Sequence, residues 1–556
     1  MNFVRRLSFL YLATGLAALS ATASASTPAA GLAYPATDYF EQSPGRSGGV
    51  LRVTSDYEAG NLDIQFNNSG GLLWEGRFLF DNLVYLDHTG QPTPWLARSW
   101  TVSPDGRTYT FHLRTDVTFS DGTRFDAEAV RANFARVKSF GAKSRVAGAN
   151  LAPYAEGLVI DDFTFQAKLS APFPDFLGYL AQTWLGFISP RQIREAPETI
   201  PTRPVGTGPF ILGEHESGKR AVFKRRADYA WAPDYLRHPG PAYLDEIILE
   251  AAPDDHARIA ALRDGRDHLT FDALTDQVAA LKADPQIVYS NRLRPGSPQR
   301  GFTFNAKRFP FDDVRIRQAV ARVIDREALI RSYGYGEFVA KSDFLVSNTP
   351  GYDPSFRSVL AYDPTAAAAL FDAAGWTTRD ADGYRTKGGR RLGAEVLTTG
   401  SERTPPIAVL GMQADLKKAG FELRLKFVKS AELSQLVTAG EYDTITGAWW
   451  SANTPDVLFI QYHSSQKARQ NTFGQDTANL GDPTLDTLLQ RARESIDATE
   501  RRQLYREAQR LLTELVPVVP LSESQHIVAY RRELHGVLFD TTHNTPILTA
   551  AWLDCR

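Results

Sequence analysis

The sequence predicts an exported α/β protein with several domains. Its 556 residues suggest roughly three or four domains, because most domains hold ~100–200 residues. In the second half, helical segments start at a capping residue and stop at a glycine, as in residues 363–375, 404–420 and 430–440. Strand-like segments, FELRLKFV and YDTITGAW, follow two of these helices. This alternation is typical of parallel sheets whose strands are joined by crossover helices.

The N-terminus has the pattern of a secretory signal peptide, which we assign to residues 1–25. A short basic region, MNFVRR, precedes an apolar stretch and the small-residue site Ala23-Ser24-Ala25. Residues 26–46 are rich in Ala, Ser, Thr and Pro and are expected to form a flexible lead-in. No cysteine follows the cleavage site for lipid attachment, so we expect a periplasmic protein. The alternative interpretation is an N-terminal core helix.

Composition and charge exclude several kinds of partner. The formal net charge is −2 and no long run of one sign occurs, so neither nucleic acid nor an anionic membrane surface is an expected partner. Cys555 is the single cysteine, so the fold must be held by its core without internal disulfides. No segment after the signal peptide has enough consecutive apolar residues to span a bilayer.

The first half contains clear strand and helix patterns. Residues 50–66 begin as a short strand followed by a loop. Residues 109–113 alternate apolar with polar, which predicts a half-buried strand between turns at 104–106 and 120–122. The next segment is predicted to be a helix capped by Asp126, with one apolar face. Near the C-terminus, a long helical region ends in the strand-like VPVVPL.

The glycine-rich segments do not form a nucleotide site. Gly213–Lys219, GEHESGK, has the spacing of a phosphate-binding loop, but Arg220 stands where magnesium binding needs Ser or Thr. A strand pattern follows instead of a helix, so we predict a hairpin turn. Val205–Phe210, VGTGPF, lacks the third glycine of a dinucleotide fingerprint, and Pro209 prevents a helix from following in that pattern. It is predicted to be a turn into a strand.

Metal-binding motifs are absent from the sequence. The 10 histidines include no pair three or four residues apart, and HExxH does not occur. The acidic pair Asp312-Asp313 is interpreted as helix caps. The chain is therefore interpreted as a binding protein, with no catalytic residue, metal or cofactor. A secreted hydrolase is the alternative of a different class, because the members of a catalytic triad need not be close in sequence.

Four segments, in this order, resemble the extracellular solute-binding proteins, family 5. They are PWLARSWTVSPDGRTYTFHLRTDVTFSDGTRFDAEAV, PVGTGPF with RADYAW downstream, FNAKRFPFDDVRIRQAVARVIDREALI, and YDPTAAAALFDAAGW. The resemblance covers nearly the whole mature chain. Members of this family serve ABC importers of dipeptides, oligopeptides, nickel chelates and opines.

The resemblance implies a two-lobed periplasmic-binding-protein fold of type II, in the large cluster C form with an extra inserted domain. The implied parts are domain I in residues 47–75, 200–300 and 525–556, domain II inserted at 76–199, and domain III at 301–524. The lobes would join near Pro298–Phe302 and Val519–Ser524. VGTGPF would return the chain from domain II to domain I, with glycines that permit the bend. Residues 312–330 would form a core helix of domain III, with its arginines and acids facing water.

The resemblance also implies a function. The protein would capture a solute in the periplasm, close its two lobes around it, and deliver it to ABC permease subunits in the inner membrane. We expect it to act as a monomer, and ATP would be hydrolysed by partner subunits. The expected solute is an oligopeptide or a peptide-like molecule. A nickel or other metal chelate, or an opine, is the alternative.

The ligand-binding residues of better-known members are replaced here. In peptide-binding members, an Asp a few residues after a Trp pairs with the α-ammonium group of the ligand. Ser451, Ala452 and Asn453 occupy the matching place, and Asp456 is the nearest acid. In members that bind a nickel–histidine chelate, a His contacts the metal where this chain has Gly447.

The candidate ligand-binding residues follow predicted strands or lie in cleft-lining loops. Of two adjacent tryptophans at a strand end, one can face the cleft, where its indole would stack on or pack against the ligand. Arg403 could bind a carboxylate through two parallel hydrogen bonds, and Glu402 could bind an amine. The candidates are Tyr57, Asn67, Trp184, Ser401, Glu402, Arg403, Trp449, Trp450 and Asn453.

Overall fold

The strands of the computed structural model define its architecture. The structure describes residues 45–56, 58–67, 70–87, 89–271, 273, 276–399, 406–446, 451–467 and 475–554. In chain order the strands are β1 (Val50–Ser55), β2 (Val84–Leu86), β3 (Pro92–Pro94), β4 (Ala97–Val102), β5 (Thr108–Leu113), β6 (Tyr154–Asp161), β7 (Thr164–Leu169), β8 (Phe210–Glu216), β9 (Arg220–Arg225), β10 (Glu246–Ala251), β11 (Leu269–Phe271), β12 (Ile287–Leu293), β13 (Gln299–Phe304), β14 (Thr378–Arg379), β15 (Arg385–Lys387), β16 (Arg390–Arg391), β17 (Gly393–Thr398), β18 (Glu422–Phe427), β19 (Thr444–Thr446), β20 (Val518–Ser522), β21 (Gln525–Arg531), β22 (Leu534–His535), β23 (Leu538–Phe539), β24 (Pro546–Ile547) and β25 (Trp552–Leu553).

Helices cover these sheets. In chain order they are α1 (Leu72–Leu79), α2 (Ala127–Ser139), α3 (Arg145–Asn150), α4 (Phe176–Leu180), α5 (Pro190–Glu195), α6 (Asp255–Arg263), α7 (Val278–Ala283), α8 (Val314–Val323), α9 (Arg326–Tyr333), α10 (Pro364–Ala373), α11 (Ile407–Ala419), α12 (Ser430–Ala439), α13 (Val457–Tyr462), α14 (Pro483–Glu494) and α15 (Ala498–Leu515). All described residues belong to one compact unit, Gln42–Arg556.

Three sheets carry the fold. The first has seven strands in the order β12-β21-β11-β1-β10-β9-β8, and β1 lies parallel to both β10 and β11. The second has five strands in the order β18-β17-β19-β13-β20, with β17 parallel to both of its neighbours. The third has four antiparallel strands in the order β4-β5-β7-β6. The predicted α/β class is confirmed, because α11 and α12 connect the parallel strands of the second sheet.

Local sequence signals set many of these boundaries. Asp126 caps α2 by accepting a hydrogen bond from the Ala129 N–H, as predicted. Asp363 caps α10 in the same way, and Gly375 follows that helix with a φ of +89°. The predicted hairpin at GEHESGK is also present, because β8 and β9 pair antiparallel on either side of it.

Three expectations for helices were wrong in detail. Ser430 is the first residue of α12, and its N-cap is Lys429. The predicted core helix at 312–330 consists of two helices, since α8 ends at Val323 and Asp325 caps α9. Arg317 of α8 is buried, where its guanidinium donates hydrogen bonds to the carbonyl oxygens of Leu515 and Phe311. An arginine that finds such acceptors can enter an apolar helix face that its charge alone would avoid.

VGTGPF is a turn, as predicted, but its glycines are needed for a different reason. Neither Gly206 nor Gly208 has a positive φ. A Cβ atom on Gly206 would lie 1.9 Å from the carbonyl oxygen of Leu79, and one on Gly208 would lie 2.4 Å from the carbonyl carbon of Leu79. Two backbones therefore pass so close together that only glycine fits between them.

Buried polar contacts join the chain just after β9 of the seven-stranded sheet to segments that flank the four-stranded sheet in sequence. Arg226, which follows β9, donates hydrogen bonds to the backbone oxygens of Thr118 and Phe119. The carboxylate of Asp81 accepts a hydrogen bond of 3.0 Å from the indole N–H of Trp231. Because such groups are costly to separate once buried, the two sheets form one lobe.

The five-stranded sheet forms the second lobe, and the chain passes between the lobes at two places. The first crossing runs from the end of β12 at Leu293 to the start of β13 at Gln299. The second lies between Ser522, the last residue of β20, and Gln525, the first residue of β21. The fold is therefore two-lobed, as the resemblance implied.

Candidate functional site

The loops of the first lobe gather at one edge of its seven-stranded sheet. Strands β1, β10 and β11 are parallel, so all three end at the same edge. Strand β21 runs antiparallel to β11 and therefore begins at that edge, and β12, antiparallel to β21, ends there. The loops after Ser55 and Phe271 therefore start at this one edge, and the chain also crosses to the second lobe from it.

The second lobe has the same arrangement. Strands β17 and β19 are parallel and end together at Thr398 and Thr446. Strand β13 begins, and β20 ends, at this edge, because each is antiparallel to its neighbour. Both chain crossings therefore run between the carboxyl-terminal edges of two sheets, which is where open α/β sheets bind ligands.

The chain after β19 lies against the first crossing. The Ser451 hydroxyl donates a hydrogen bond of 2.9 Å to the Pro295 carbonyl oxygen, and the Ala452 N–H donates one of 3.2 Å to the same oxygen. Gly296 and Ser451 form an isolated antiparallel bridge. The segment that the sequence singled out for ligand binding therefore leads directly into the hinge.

Three stacked rings lie buried in the first lobe, beside the edge where β11 ends and β21 begins. Trp74 of α1 stacks on Phe271, the last residue of β11, with ring centroids 4.1 Å apart. Phe271 in turn stacks on His526 of β21, with centroids 5.5 Å apart. These residues are more than 450 positions apart at the extremes, and the sequence analysis missed all three. Their only signal was the position of Phe271 and His526 at strand ends.

Two buried histidines in this region are uncharged. Burial lowers the pKa of His526 well below its ordinary value of 6.5, and the charge of Arg294 adds to that effect. Burial also lowers the pKa of His543 to about 4. Their neutral ring nitrogens can donate or accept hydrogen bonds near the hinge without placing a buried charge there.

These histidines should make stability depend on pH. Because the folded-state pKa of His543 is lower than the unfolded value, the unfolded chain binds the extra proton between about pH 6.5 and pH 4. The stability contributed by the neutral ring is therefore lost as the pH falls through this window. As the pH falls through this window, the free energy of unfolding of the wild type should drop relative to that of His543→Gln, by up to ~1.4 kcal/mol for each pH unit.

Urea unfolding at pH 7.5, 6.5, 5.5 and 4.5 measures this difference. Buried carboxyl groups such as Asp81, whose pKa burial raises to about 7, change the unfolding free energy with pH in the opposite direction. They are present in both proteins, so their contribution cancels when the variant is compared with the wild type. A difference in unfolding free energy that stays constant with pH would contradict the prediction.

Six of the nine predicted site residues lie outside the described residues. They are Tyr57, Ser401, Glu402, Arg403, Trp449 and Trp450. In the sequence they come directly after β1, β17 and β19, whose ends line the two facing edges. A role for them in ligand binding stays a prediction.

The other three predicted residues are described. The Asn67 amide donates hydrogen bonds to the carbonyl oxygens of Ala59 and Asn61, so it holds the loop after β1. Trp184 is buried in a short 3-10 helix, Thr183–Leu185, beside α1. Asn453 is half-buried and lies close to Gly90 of the first lobe. Contact of these residues with a ligand stays a prediction.

Asp456 cannot replace the missing amine-binding acid in this structure. Its side chain has no exposed surface, and its carboxylate accepts hydrogen bonds from the hydroxyls of Tyr179 and Tyr505. Burial raises its pKa to about 7 even though Arg493 lies 3.6 Å away. Its oxygens already have partners, so the carboxylate supports the protein and not the ligand.

The described residues also constrain metal binding. Among them, no group of three or more His, Cys, Asp or Glu side chains is arranged to hold a metal ion. Within the same ranges, no helix combines the length and apolar character needed to cross a membrane.

Two lobes whose strand edges meet at a hinge of two chain crossings form the fold of the periplasmic binding proteins. The sequence profile of the bacterial extracellular solute-binding proteins, family 5 Middle, matches residues 91–471. The chain belongs to this family, which consists of substrate-binding transport proteins and not of enzymes. Its function is that of the solute-binding component of an ABC importer.

Relatives with similar sequences bind different solutes. The nickel-binding periplasmic protein of Escherichia coli K12 is 28% identical, over 83% of this chain and 86% of its own length. The dipeptide-binding protein of the same strain is 26% identical, with the same coverage. The crystal structure of NikA from Brucella suis in complex with Fe(III)-EDTA is 25% identical and aligns with a TM-score of 0.77, over 91% of this chain and 100% of that one.

Proposed function

We propose that this protein captures an oligopeptide or peptide-like solute in the periplasm and delivers it to ABC permease subunits by closing its two lobes. The observation that carries the proposal is the meeting of two carboxyl-terminal sheet edges at a hinge of only two crossings. Such a hinge can change the angle between the lobes while each sheet stays intact. The ligand would be enclosed between the edges, in the region of Ser451.

A second kind of solute is a metal chelate, in which the organic part of the ligand supplies most of the donors to the metal. A nickel or other metal chelate, or an opine, is thus the second candidate, and the 28% identical nickel-binding relative favours it.

The location and state of the protein form part of the same proposal. Residues 1–25 would direct export and be removed, and the mature chain would act as a monomer. Domain I (47–75, 200–300 and 525–556) and domain II (76–199) would form the first lobe, and domain III (301–524) the second. The signal peptide is tested by sequencing the N-terminus of the protein recovered from the periplasm, which should begin at Ser26.

The proposed ligand can be identified from the protein itself. Protein expressed in its own cells is purified without denaturation and then denatured, and the released small molecules are analysed by mass spectrometry beside an unrelated periplasmic protein. A set of short peptides supports the peptide assignment, and a single non-peptide mass supports the chelate or opine. Returning the released compound at ~100 times its dissociation constant should raise the unfolding free energy by about 2.7 kcal/mol. Conversion of that compound into a product would overturn the assignment.

Arg403 provides a test at the level of one residue. If it holds a ligand carboxylate through paired hydrogen bonds, Arg403→Gln should weaken binding of the released compound about tenfold or more, because hydrogen bonds to charged groups contribute ~1.5–3 kcal/mol. Arg424→Gln is the matched control, since Arg424 is exposed on β18 and pairs with Glu422. Calorimetric titration measures both affinities. Equal affinities for the two variants would remove Arg403 from the site.

A further inference from the structure

A buried side-chain contact, separate from the two chain crossings, joins the lobes. On the first lobe it is formed by residues 173–180, which follow the four-stranded sheet. On the second lobe it is formed by residues 454–456 and by α13, α14 and α15. The Thr454 hydroxyl donates a hydrogen bond of 2.6 Å to the Asp175 carboxylate, and the Tyr179 hydroxyl donates one of 3.0 Å to Asp456.

Asp456 is the centre of this contact. Its two carboxylate oxygens accept hydrogen bonds from tyrosines on opposite sides: Tyr179 from the first lobe and, at 3.3 Å, Tyr505 from α15 of the second lobe. The guanidinium of Arg493 lies 3.6 Å from the same carboxylate. It also lies over the ring of Phe173, 4.6 Å from the centroid, so it contacts both lobes.

This contact is well packed although no covalent connection crosses it. Phe173, Tyr179 and Asp456 have no exposed surface, and Tyr505 has 1%. Phe173 and Tyr179 stack on each other within the first lobe, with centroids 5.5 Å apart. An interface buried to this degree has the character of a protein core, although its two sides belong to different lobes.

Opening of the lobes would therefore have to separate these groups. Residues 173–180 move with the first lobe, because buried hydrogen bonds link its two sheets. Rotation about the crossings would expose Asp456 and Arg493 and would break the bonds from Tyr179 and Thr454. Water would replace these partners, so the contact contributes to closure only the net difference between the two environments.

We propose that the contact formed by Asp175, Tyr179, Thr454, Asp456 and Arg493 is a latch that stabilises the closed state through contacts between protein side chains. The latch rests on the proposed function, because it regulates closure of that same site. It adds to the observed ligand affinity without touching the ligand, since any interaction made only in the closed state raises the population that can hold the solute.

Two tyrosine substitutions separate a latch from an ordinary core contact. Tyr179→Phe and Tyr505→Phe each remove one hydroxyl that donates to Asp456, and both side chains are buried. Only the Tyr179 bond crosses between the lobes. A latch predicts that Tyr179→Phe weakens ligand binding roughly three- to tenfold through faster dissociation, and that Tyr505→Phe leaves the affinity within twofold of the wild type.

The probes for this test are the compound released from the native protein, the dipeptide Met-Leu and Ni(L-His)2. Urea unfolding of the ligand-free variants shows whether both remain folded, and equal losses of stability make the comparison of affinities fair. The latch would be overturned if the two variants bind with equal affinity, whether both affinities match the wild type or both are weakened.

If no probe binds, that result counts against the proposed function alone. The latch is then tested by hydrogen exchange without ligand. Hydrogen exchange is followed in peptides 173–181 and 454–462 of the unliganded wild type, with strand β5 as the reference. If the contact is a latch, these two peptides should exchange through an opening that costs less free energy than global unfolding. Strand β5 should exchange only through global unfolding. Exchange of all three only through global unfolding would show a permanent contact and overturn the latch.

Discussion

Gly206→Ala is expected to lower the free energy of unfolding by about 3 kcal/mol or more, among the largest losses of any single substitution in this chain. The new Cβ atom would lie 1.9 Å from the Leu79 carbonyl oxygen, 2.6 Å from a ring carbon of Phe80 and 2.9 Å from the Leu79 carbonyl carbon. Two of these three atoms are backbone, so a change of side-chain rotamer cannot relieve the overlap.

The surrounding hydrogen bonds prevent the two backbones from separating. The Gly208 N–H donates a hydrogen bond of 2.9 Å to the same Leu79 carbonyl oxygen, and Gly206 forms an isolated antiparallel bridge with Ile188. The Thr207 hydroxyl accepts a hydrogen bond from the Asp81 N–H. Movement large enough to admit a methyl group would break these bonds in a buried region, which adds the cost of unsatisfied polar groups.

Gly178→Ala is the matched control for this prediction. Gly178 lies within α4, and a Cβ atom there would have no neighbour within 4 Å. Since alanine favours a helix over glycine by up to ~1 kcal/mol, this variant should be as stable as the wild type or slightly more stable. Urea unfolding curves measure both changes. If Gly206→Ala unfolds at the same urea concentration as Gly178→Ala, the two backbones are not held together as the structure indicates.

The turn at VGTGPF shows how far the sequence reaches. Glycine spacing and Pro209 were enough to reject a phosphate site and to predict a turn before a strand. They could not show why glycine is required, because the reason lies in Leu79, more than 120 residues earlier. Close approach between distant segments leaves no mark in a local pattern.

Helix ends could be predicted well because their cause is local. A capping side chain and the N–H group it binds are two or three residues apart, as for Asp126 and Asp363. The burial of Arg317 could not be predicted, since the carbonyl oxygen that it binds on Leu515 comes from a helix almost 200 residues later. The buried stack of Trp74, Phe271 and His526 was missed for the same reason: its three rings come from three separate parts of the chain.

The candidate site is a mixed case. Residues after strand ends were chosen on the resemblance to solute-binding proteins, and β17 and β19 do end at the edge that faces the first lobe. Asp456 stands in the same segment and could not be distinguished from a ligand-binding acid by position alone. Only its partners, Tyr179 and Tyr505, show that it is fully enclosed by protein.

Lys341→Met is expected to cost about 3–5 kcal/mol of unfolding free energy at pH 8, because it removes the cation from a buried cluster of charges. The Lys341 ammonium lies 2.8 Å from the Asp343 carboxylate and 3.3 Å from the Glu523 carboxylate, and its side chain is 1% exposed. It also lies 4.0 Å from the centre of the Tyr352 ring. Methionine fills a similar volume, so the loss should come from two buried carboxylates left without their positive partner.

The loss should shrink as the pH falls. Burial raises the pKa of Asp343 to about 6, and the nearby ammonium opposes that rise. Removing the ammonium raises this pKa further, so the folded variant takes up a proton at a higher pH than the wild type does. A raised folded-state pKa means that stability is lost as the pH rises through it. The difference in unfolding free energy between Lys341→Met and the wild type should therefore be larger at pH 8 than at pH 5.5.

Lys418→Met separates this effect from the general loss of a lysine. Lys418 pairs with Asp415 on the surface, and its side chain is 77% exposed. Removing an exposed ion pair should change stability by less than about 1 kcal/mol, equally at both pH values. Urea unfolding of both variants at pH 5.5 and pH 8 gives the comparison. A cost for Lys341→Met that does not change with pH would show that packing, and not charge, is what the lysine supplies.

The position of this cluster connects stability with closure. Glu523 lies in the second crossing, where its backbone N–H donates to the Val339 carbonyl oxygen and its carboxylate accepts a hydrogen bond of 3.2 Å from the Ser347 N–H. Through its ion pair with Glu523, Lys341 thereby fixes the second crossing to the second lobe. A folded Lys341→Met protein should consequently bind its solute less tightly. Its hinge is less constrained, so it has more open conformations and loses more conformational entropy when the lobes close. Calorimetric titration of that variant with the compound released from the native protein, with Lys418→Met as the reference, measures this loss, and an unchanged affinity would confine Lys341 to a role in stability.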